Sequence, residues 1–505
     1  MSMLTRRSGA AVAVATLGAW LVAAPVAEMS SIAVLGLLLF AGPSAEAQEG
    51  AKRLQGQVPL KDQLSGRALR GYKQHVQLVG HNNIRNRLQN GNLGWVDDCA
   101  YVSAYYGGAY PTAGLAVLNV ADPRNPQLVK ILPGTPGTRE SQVEGNQDSR
   151  MLVVMPFPRA TPPGFAFSAP ASDASLLQIY DVRGDCTNLV RRGTYNFGKE
   201  NGQTIVTHEH LIWHDKIYVT VTSAPAPGPA ISVVDASNRD NPVLLTTWDL
   251  SDEPGMPESA VHDLDVSPDG TRAYVNIIGT AQSADGGLAI LDTSEVANWR
   301  PGMPRPTIRR LSRIVYWAPP MPGGSHSAQW VKIKGRKYVL TENEGTGVGG
   351  CPAGWAQILD GNAEKNPTVI SSFRLEVNKH ENCPLTLPDH EGVPTTGPVS
   401  ILQSTKYSTH YLGVDNPEEA KIAAFTWYSS GLRLVDISDP YSPKEVGYFI
   451  PPAINTGGPR SFPDRAYSFV RFHEGNIWFN SINGGFWVVR FTGEHEHGDD
   501  ARDDD

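Results

Sequence analysis

Residues 431–449 read GLRLVDISDPYSPKEVGYF, and residues 114–132 read GLAVLNVADPRNPQLVKIL. Each has a glycine, a short β-branched and aliphatic run ending in Asp436 or Asn119, a proline-containing turn and a second β run. An apolar run of that length with a breaker at both ends predicts a strand, and the pair predicts two antiparallel strands. The unit recurs as LLQIYDVRGDCTNLV at 176–190, ISVVDASNRDNPVLLTTW at 231–248, GLAILDTSEVANWRP at 287–301 and AQILDGNAEKNPTVISSF at 356–373. A seventh copy, GGFWVVRF at 484–491, carries Arg490 at the position of the Asp. The marked positions lie 54 to 76 residues apart, too close for independent domains and suited to one supersecondary unit with variable loops.

Upstream of each unit lies another pair of β runs joined by a tight turn, as in VHDLDVSPDGTRAYVNII at 261–278 and HLIWHDKIYVTVT at 210–222. Each repeat thus holds four strands. A lone four-stranded sheet cannot cover both of its apolar faces, so the expected fold is all-β: a seven-bladed β-propeller of four-stranded antiparallel blades. The last copy has only three strands before the tail, and HVQLVG at 75–80 reads as the missing fourth. The ring is therefore expected to be closed by this N-terminal strand, which removes the exposed edge. Composition agrees. With Gly 50, Pro 39 and 19 % charged residues, a coiled coil or long helical array is disfavoured, and 40 % hydrophobic residues with net charge −8 disfavour disorder of the whole chain. The 43 basic against 51 acidic residues offer no phosphate-neutralising stripe, so nucleic acid is not an expected partner.

Arg6 and Arg7 precede a nearly uncharged run from Ser8 to Val26, a second apolar run spans Ile32 to Ala41, and Ala45-Glu46-Ala47 has the pattern of a signal-peptidase site. The expected organisation is an export signal at 1–47, an N-terminal extension at 48–74, the propeller at 75–492 and an acidic disordered tail at 493–505. That places the protein in the periplasm or outside the cell, clear of the membrane once the signal is removed; the alternative is a signal retained as an anchor.

The runs LRLVDISDPYSPKEV and LAVLNVADPRNPQLV resemble the LVIVD repeat of bacterial and archaeal β-propellers. The resemblance covers nearly all of the mature chain and implies the fold, not an activity.

The four cysteines can be placed on this topology. Cys351 and Cys383 fall on the face where the inner strands begin, in a strand 2–3 loop and the following link between blades. Cys99, opening strand 2 of the first blade, and Cys186, in a strand 3–4 turn, fall on the opposite face. Of the three pairings, Cys99–Cys186 and Cys351–Cys383 need the least rearrangement.

The motifs THEHLIW, VHDLDV, SHSAQW and THYLGV align by their hairpin turns with His208, His262, His326 and His410 in one column. Four of 13 histidines thus occupy the same point of four consecutive blades, on the strand lining the central channel. The ring would aim imidazoles at one point near the axis, as a borderline transition metal requires. The expected cofactor is iron or copper, with zinc as the alternative. A purely structural column, in which each ring bonds a neighbouring backbone group, is the competing reading. In the other blades the column falls on Tyr467, on a polar stretch at Asn90 to Asn92, and on one holding Gln142, Glu144 and Asn146. His210, two places after His208, is a candidate fifth ligand, and Glu144, Glu209, Glu258 and Glu344 are candidate carboxylates to orient the rings. His380 and His390 sit in KHENCPLTLPDHEG at 379–392, a lid or a disulfide-tied surface loop.

Carotenoid-cleaving dioxygenases are similar in architecture, being propellers whose axial iron is held by four histidines backed by glutamates. The selenium-binding or methanethiol-oxidase family uses propeller histidines for copper, and VHDLDVSPDGTRAYV resembles its inner hairpin, without that family's cysteine-containing motif. These resemblances imply an oxidase or oxygenase acting on a small organic substrate, under top loops such as YYGGAYPTAG and PFPRATPPGFAFSAP. The alternative is a non-catalytic exported propeller that binds a protein or glycan partner.

Overall fold

A computed structural model of the chain describes residues 53–104, 114–134, 138–158, 160–161, 166–167, 176–197, 206–223, 230–250, 261–278, 286–316, 324–345, 351–393, 406–455 and 457–493. The proposed export signal, the acidic tail beyond Gly493 and most of the two quoted top loops lie outside these residues. The chain forms a seven-bladed β-propeller of four-stranded antiparallel blades. Blade three shows the plan: Val206–Trp213 is innermost, followed outward by Lys216–Ser223, Ile231–Asp235 and Val243–Trp248. Blade four departs from it at the rim, where Ser294–Asn298 forms a short helix and the outer strand is split into Arg309–Arg310 and Val315–Tyr316.

The repeated Asp has a local cause. At the end of each third strand its carboxylate accepts the backbone N–H two residues on: Asp181 from Arg183 at 3.1 Å, Asp292 from Ser294 at 3.0 Å, Asp360 from Asn362 at 2.9 Å and Asp436 from Ser438 at 2.8 Å. Asn119 does the same for Ala121. This turn mimicry directs the chain into the fourth strand. Arg490 replaces the Asp where no fourth strand follows in sequence.

That strand comes from the N-terminus. Val76–Asn82 pairs antiparallel with Gly485–Phe491 and becomes the outer edge of blade seven. The residues just before it, Tyr72–Gln74, pair with the outer strand Lys444–Ile450 of blade six. Between the two, His75 adopts φ 51°, a left-handed kink that moves the chain from one blade to the next. The preceding segment is held by Asp389, whose carboxylate accepts Gln57 Nε2 at 2.9 Å, the Leu60 N–H at 2.8 Å and the Tyr407 hydroxyl at 2.9 Å.

Adjacent blades pack face to face, and the core is a chain of such interfaces. Ile179 of blade two packs with Ile217 and Val219 of blade three, and Ile231 and Val233 of blade three with Val275 and Ala289 of blade four. Phe479 and Val489 of blade seven meet Leu432 and Leu434 of blade six. Each of the Ile, Val, Leu and Phe side chains among these is worth about 1.5–3 kcal/mol buried rather than exposed. Both disulfides form as paired from the sequence, Cys99 with Cys186 and Cys351 with Cys383. Among the described residues no helix is long and apolar enough to cross a membrane.

One recurrent irregularity positions the channel residues. In five inner strands the register slips by one residue at the same level, between Asn90 and Leu93, Arg139 and Gln142, Thr207 and His210, Val261 and Leu264, and Ser325 and Ala328. Two residues there oppose one, which is a β-bulge that re-aims side chains. Blade six has the equivalent arrangement: the His410 N–H donates to the Thr426 carbonyl while the Thr426 N–H donates to the Tyr411 carbonyl. Polar residues of the second strand fill the bulges. The Glu209 N–H donates to Thr220 Oγ1 at 2.8 Å, and the Thr220 hydroxyl donates to the His262 carbonyl at 2.7 Å in the next blade.

Candidate functional site

His208, His262 and His326 each occupy the first position of their bulge, and His410 stands at the same level in blade six. Their rings follow one another around the axis, with centroids 4.0 Å apart for His208 and His262, 3.8 Å for His262 and His326, and 4.6 Å for His326 and His410. Tyr467 continues the row at 4.2 Å from His410. In blade two the register puts Glu140 at this level, upstream of the 142–146 stretch to which the sequence alignment assigned it.

Two groups of side chains can hold a metal ion: His208, Glu209 and His262, and His262, His326 and Glu344, with one ligand atom from each within 4.8 Å of the others in its group. Hydrogen bonds fix the tautomers. His410 Nδ1 faces the Tyr467 carbonyl, which can only accept, so Nδ1 carries the hydrogen and the lone pair is on Nε2. That Nε2 lies 3.9 Å from Glu344 Oε1. His326 Nδ1 lies 3.0 Å from Glu342 Oε1, and its Nε2 lies 3.5 Å from Glu344 Oε2. His262 Nδ1 is buried without a hydrogen-bond partner. The donor set, with two rings oriented from behind and one orphaned nitrogen, fits a borderline transition metal.

The electrostatics of the ring are uneven. Although burial opposes it, the carboxylates of Glu342 and Glu344 push the His326 pKa up to about 9. Burial, reinforced by the neighbouring imidazoles, holds His262 and His410 well below the ordinary histidine value. Crowded imidazoles resist shared protonation: with the proton held at His326, its neighbours His262 and His410 stay neutral beside a cluster of carboxylates.

Glu209 closes the channel beneath this row. Its Oε1 accepts from Gln142 of blade two and from the hydroxyl of Tyr411 of blade six, and lies 3.2 Å from His208 Nδ1. Gln142 in turn accepts from Asn92 Nδ2 at 2.9 Å. Glu344 is bound by the Tyr428 hydroxyl, and Tyr428 holds φ 28°, a backbone conformation that costs a non-glycine residue about 1–3 kcal/mol and concentrates at functional sites.

The structure thus brings together His208, His262, His326, His410, Glu209 and Glu344. Glu258 lies outside the described residues. His210 and Glu144 stand apart: the bulge turns His210 away from His208, and its Nε2 reaches the Val153 carbonyl of blade two at 3.2 Å. Both line a cavity on the other side of Glu209. His390 is a buried packing residue, 3.2 Å from Ser429 Oγ. Sequence reasoning missed Glu342 and Tyr411, and also Asp263, which lines the same cavity as His210. Tyr411 and Asp263 directly follow a column histidine, and regular strand alternation would aim them elsewhere. Glu342 carried one signal, an acid inside the otherwise strand-like run KYVLTENE.

No protein-family model matches the chain, and no curated protein matches it. Solved structures do resemble it. The periplasmic gluconolactonase of Pseudomonas aeruginosa is 12 % identical, with 72 % of this chain and 86 % of that one covered at a TM-score of 0.46. A hypothetical selenium-binding protein of Sulfolobus tokodaii is 11 % identical, with 85 % and 93 % covered at 0.45. The Cps50 β-propeller domain of Myceliophteria thermophila is 8 % identical, with 80 % and 97 % covered at 0.46. None of these likenesses supplies an activity to this chain.

Proposed function

We propose that this chain is an exported, metal-dependent propeller enzyme, an oxidase or oxygenase acting on a small organic substrate. The observation that carries the reading is the row of four histidines, with His326 and His410 both held through Nδ1 so that their Nε2 atoms flank Glu344. His208, His262, His326 and His410 would hold the ion, with Glu209 and Glu344 as neighbouring carboxylates. Bound iron or copper supplies oxidation or oxygen insertion, whereas zinc would supply water activation. Glu342 orients His326 by accepting a hydrogen bond from its Nδ1, and the Tyr467 carbonyl orients His410. Glu209, gripped by Gln142 and Tyr411, keeps the ring side of the channel separate from the other. The two disulfides support an oxidising compartment, consistent with the periplasm or the exterior.

The test is oxygen uptake by the full chain loaded with iron or copper, over a panel of small thiols, alcohols and phenols. Uptake with one class, lost in a His262→Ala, His326→Ala double variant, is expected. No uptake with any class under either metal overturns the oxidoreductase reading and favours a protein- or glycan-binding propeller.

A further inference from the structure

On the hairpin side of Glu209 the inner strands of all seven blades enclose a cavity of about 570 Å³. Its wall carries Glu144 of blade two, His210 of blade three and both Asp263 and Asp265 of blade four. Asp415 also lines it, against a single guanidinium, Arg471 of blade seven.

Two of these groups each leave one polar atom without a protein partner. His210 is 5 % exposed, and because its Nε2 faces the Val153 carbonyl, Nε2 carries the hydrogen and Nδ1 is an acceptor. That Nδ1 is buried and unpartnered, as is Oε2 of Glu144. An orphaned buried polar atom is costly unless something satisfies it, at about 1–3 kcal/mol each. Asp265 is already fixed, accepting the Trp330 N–H at 2.6 Å and the Val266 N–H at 2.9 Å.

From this geometry we infer that the cavity binds a small organic ammonium compound, independently of any metal at the histidine ring. The orphaned His210 nitrogen accepts, and carboxylates accept when ionised, so the complementary group is a cation whose hydrogens all donate. A lone metal ion fits poorly: among the described residues the groups close enough to hold one lie at the histidine ring, not here. The volume suits a molecule of several heavy atoms, and Trp95 and Phe469 are among the lining residues. Burial, opposed by a hydrogen bond from the Ile212 backbone and reinforced by the charges of Asp265 and Glu209, pushes Glu144 up to about 8, the behaviour of a carboxyl with no cationic protein partner.

The test is ligand-observed NMR titration of the full chain with n-butylammonium, n-butanol and butyrate at one ionic strength. Butylammonium should bind one per chain in the millimolar range or tighter. Butanol and butyrate should bind at least tenfold more weakly. The isosteric Glu144→Gln substitution should weaken butylammonium tenfold or more, and Asp265→Asn should weaken it in the same direction, while His326→Ala leaves it unchanged. Absence of butylammonium binding overturns the inference, as does butyrate binding equally well or an affinity untouched by both carboxyl variants.

Discussion

Nδ1 of His326 lies 3.0 Å from Oε1 of Glu342, both side chains being fully buried on neighbouring strands of blade five. The same oxygen also accepts the Ser327 N–H and hydroxyl at 2.9 Å, so the carboxylate is locked before it meets the ring. A metal-ligating imidazole backed in this way is fixed in tautomer and orientation. Replacing Glu342 by Gln should therefore lower metal affinity about 10- to 100-fold. Titration of the metal-free full chain measures this, and circular dichroism shows whether the fold is kept.

Tyr411 and Gln142 approach the Glu209 carboxylate from opposite sides of the channel. The Tyr411→Phe substitution removes one charge-assisted donor and fills no space. It should cost about 1–3 kcal/mol in denaturant unfolding. A change below a few tenths would mean that the cross-channel bond contributes nothing.

Glu144 has a consequence for stability against pH. Burial pushes its pKa to about 8 in the folded state, from the ordinary carboxyl value of 4.5. The unfolded chain thus loses this proton first. Between about pH 4.5 and 8 the folded state binds more protons than the unfolded one, and stability falls as pH rises. Asp265, pushed up to about 7, contributes with the same sign. At pH 8.5 the Glu144→Gln variant should melt about 1–3 °C above the parent, and at pH 4 the two should coincide. A variant that melts lower at pH 8.5 would falsify the sign.

Gly80, in the closing strand, passes against the first blade. A Cβ there would lie 2.1 Å from the Pro123 carbonyl oxygen, which belongs to a repeated turn and cannot retreat cheaply. Gly80→Ala should destabilise by about 1–3 kcal/mol in chemical unfolding, whereas alanine at Gly184, where a Cβ meets nothing within 4 Å, costs through its φ of 84° alone.

The propeller was legible because its repeats are local chemistry. The Asp that ends each third strand makes its own turn, and the breakers flank every β run. The missing fourth strand of blade seven was legible from HVQLVG for the same reason, and the disulfides followed from topology. The histidine column was legible because one residue type recurred at a fixed distance from a hairpin turn. What surrounds it was not. The bulge at Thr207–His210 and its counterparts leave no compositional mark, yet they reverse the expected faces of Glu209 and His210. Tyr411 reaches Glu209 from three blades away, a relation that only ring closure creates. Glu144 read as a carboxylate for the histidines, but its strand carries it past Glu209 into the opposite half of the channel.

The histidine row is proposed to hold one transition-metal ion, with His262 common to both candidate ligand groups. Elemental analysis of the full chain, purified without added metal or chelator, alongside the His262→Ala, His326→Ala double variant and with melting curves to confirm folding, addresses it most directly. About one iron or copper per chain in the parent and a residual trace in the folded variant is the predicted result. A parent that carries no metal and gains none on incubation with either ion, or a variant that retains the parent's metal content, would contradict it.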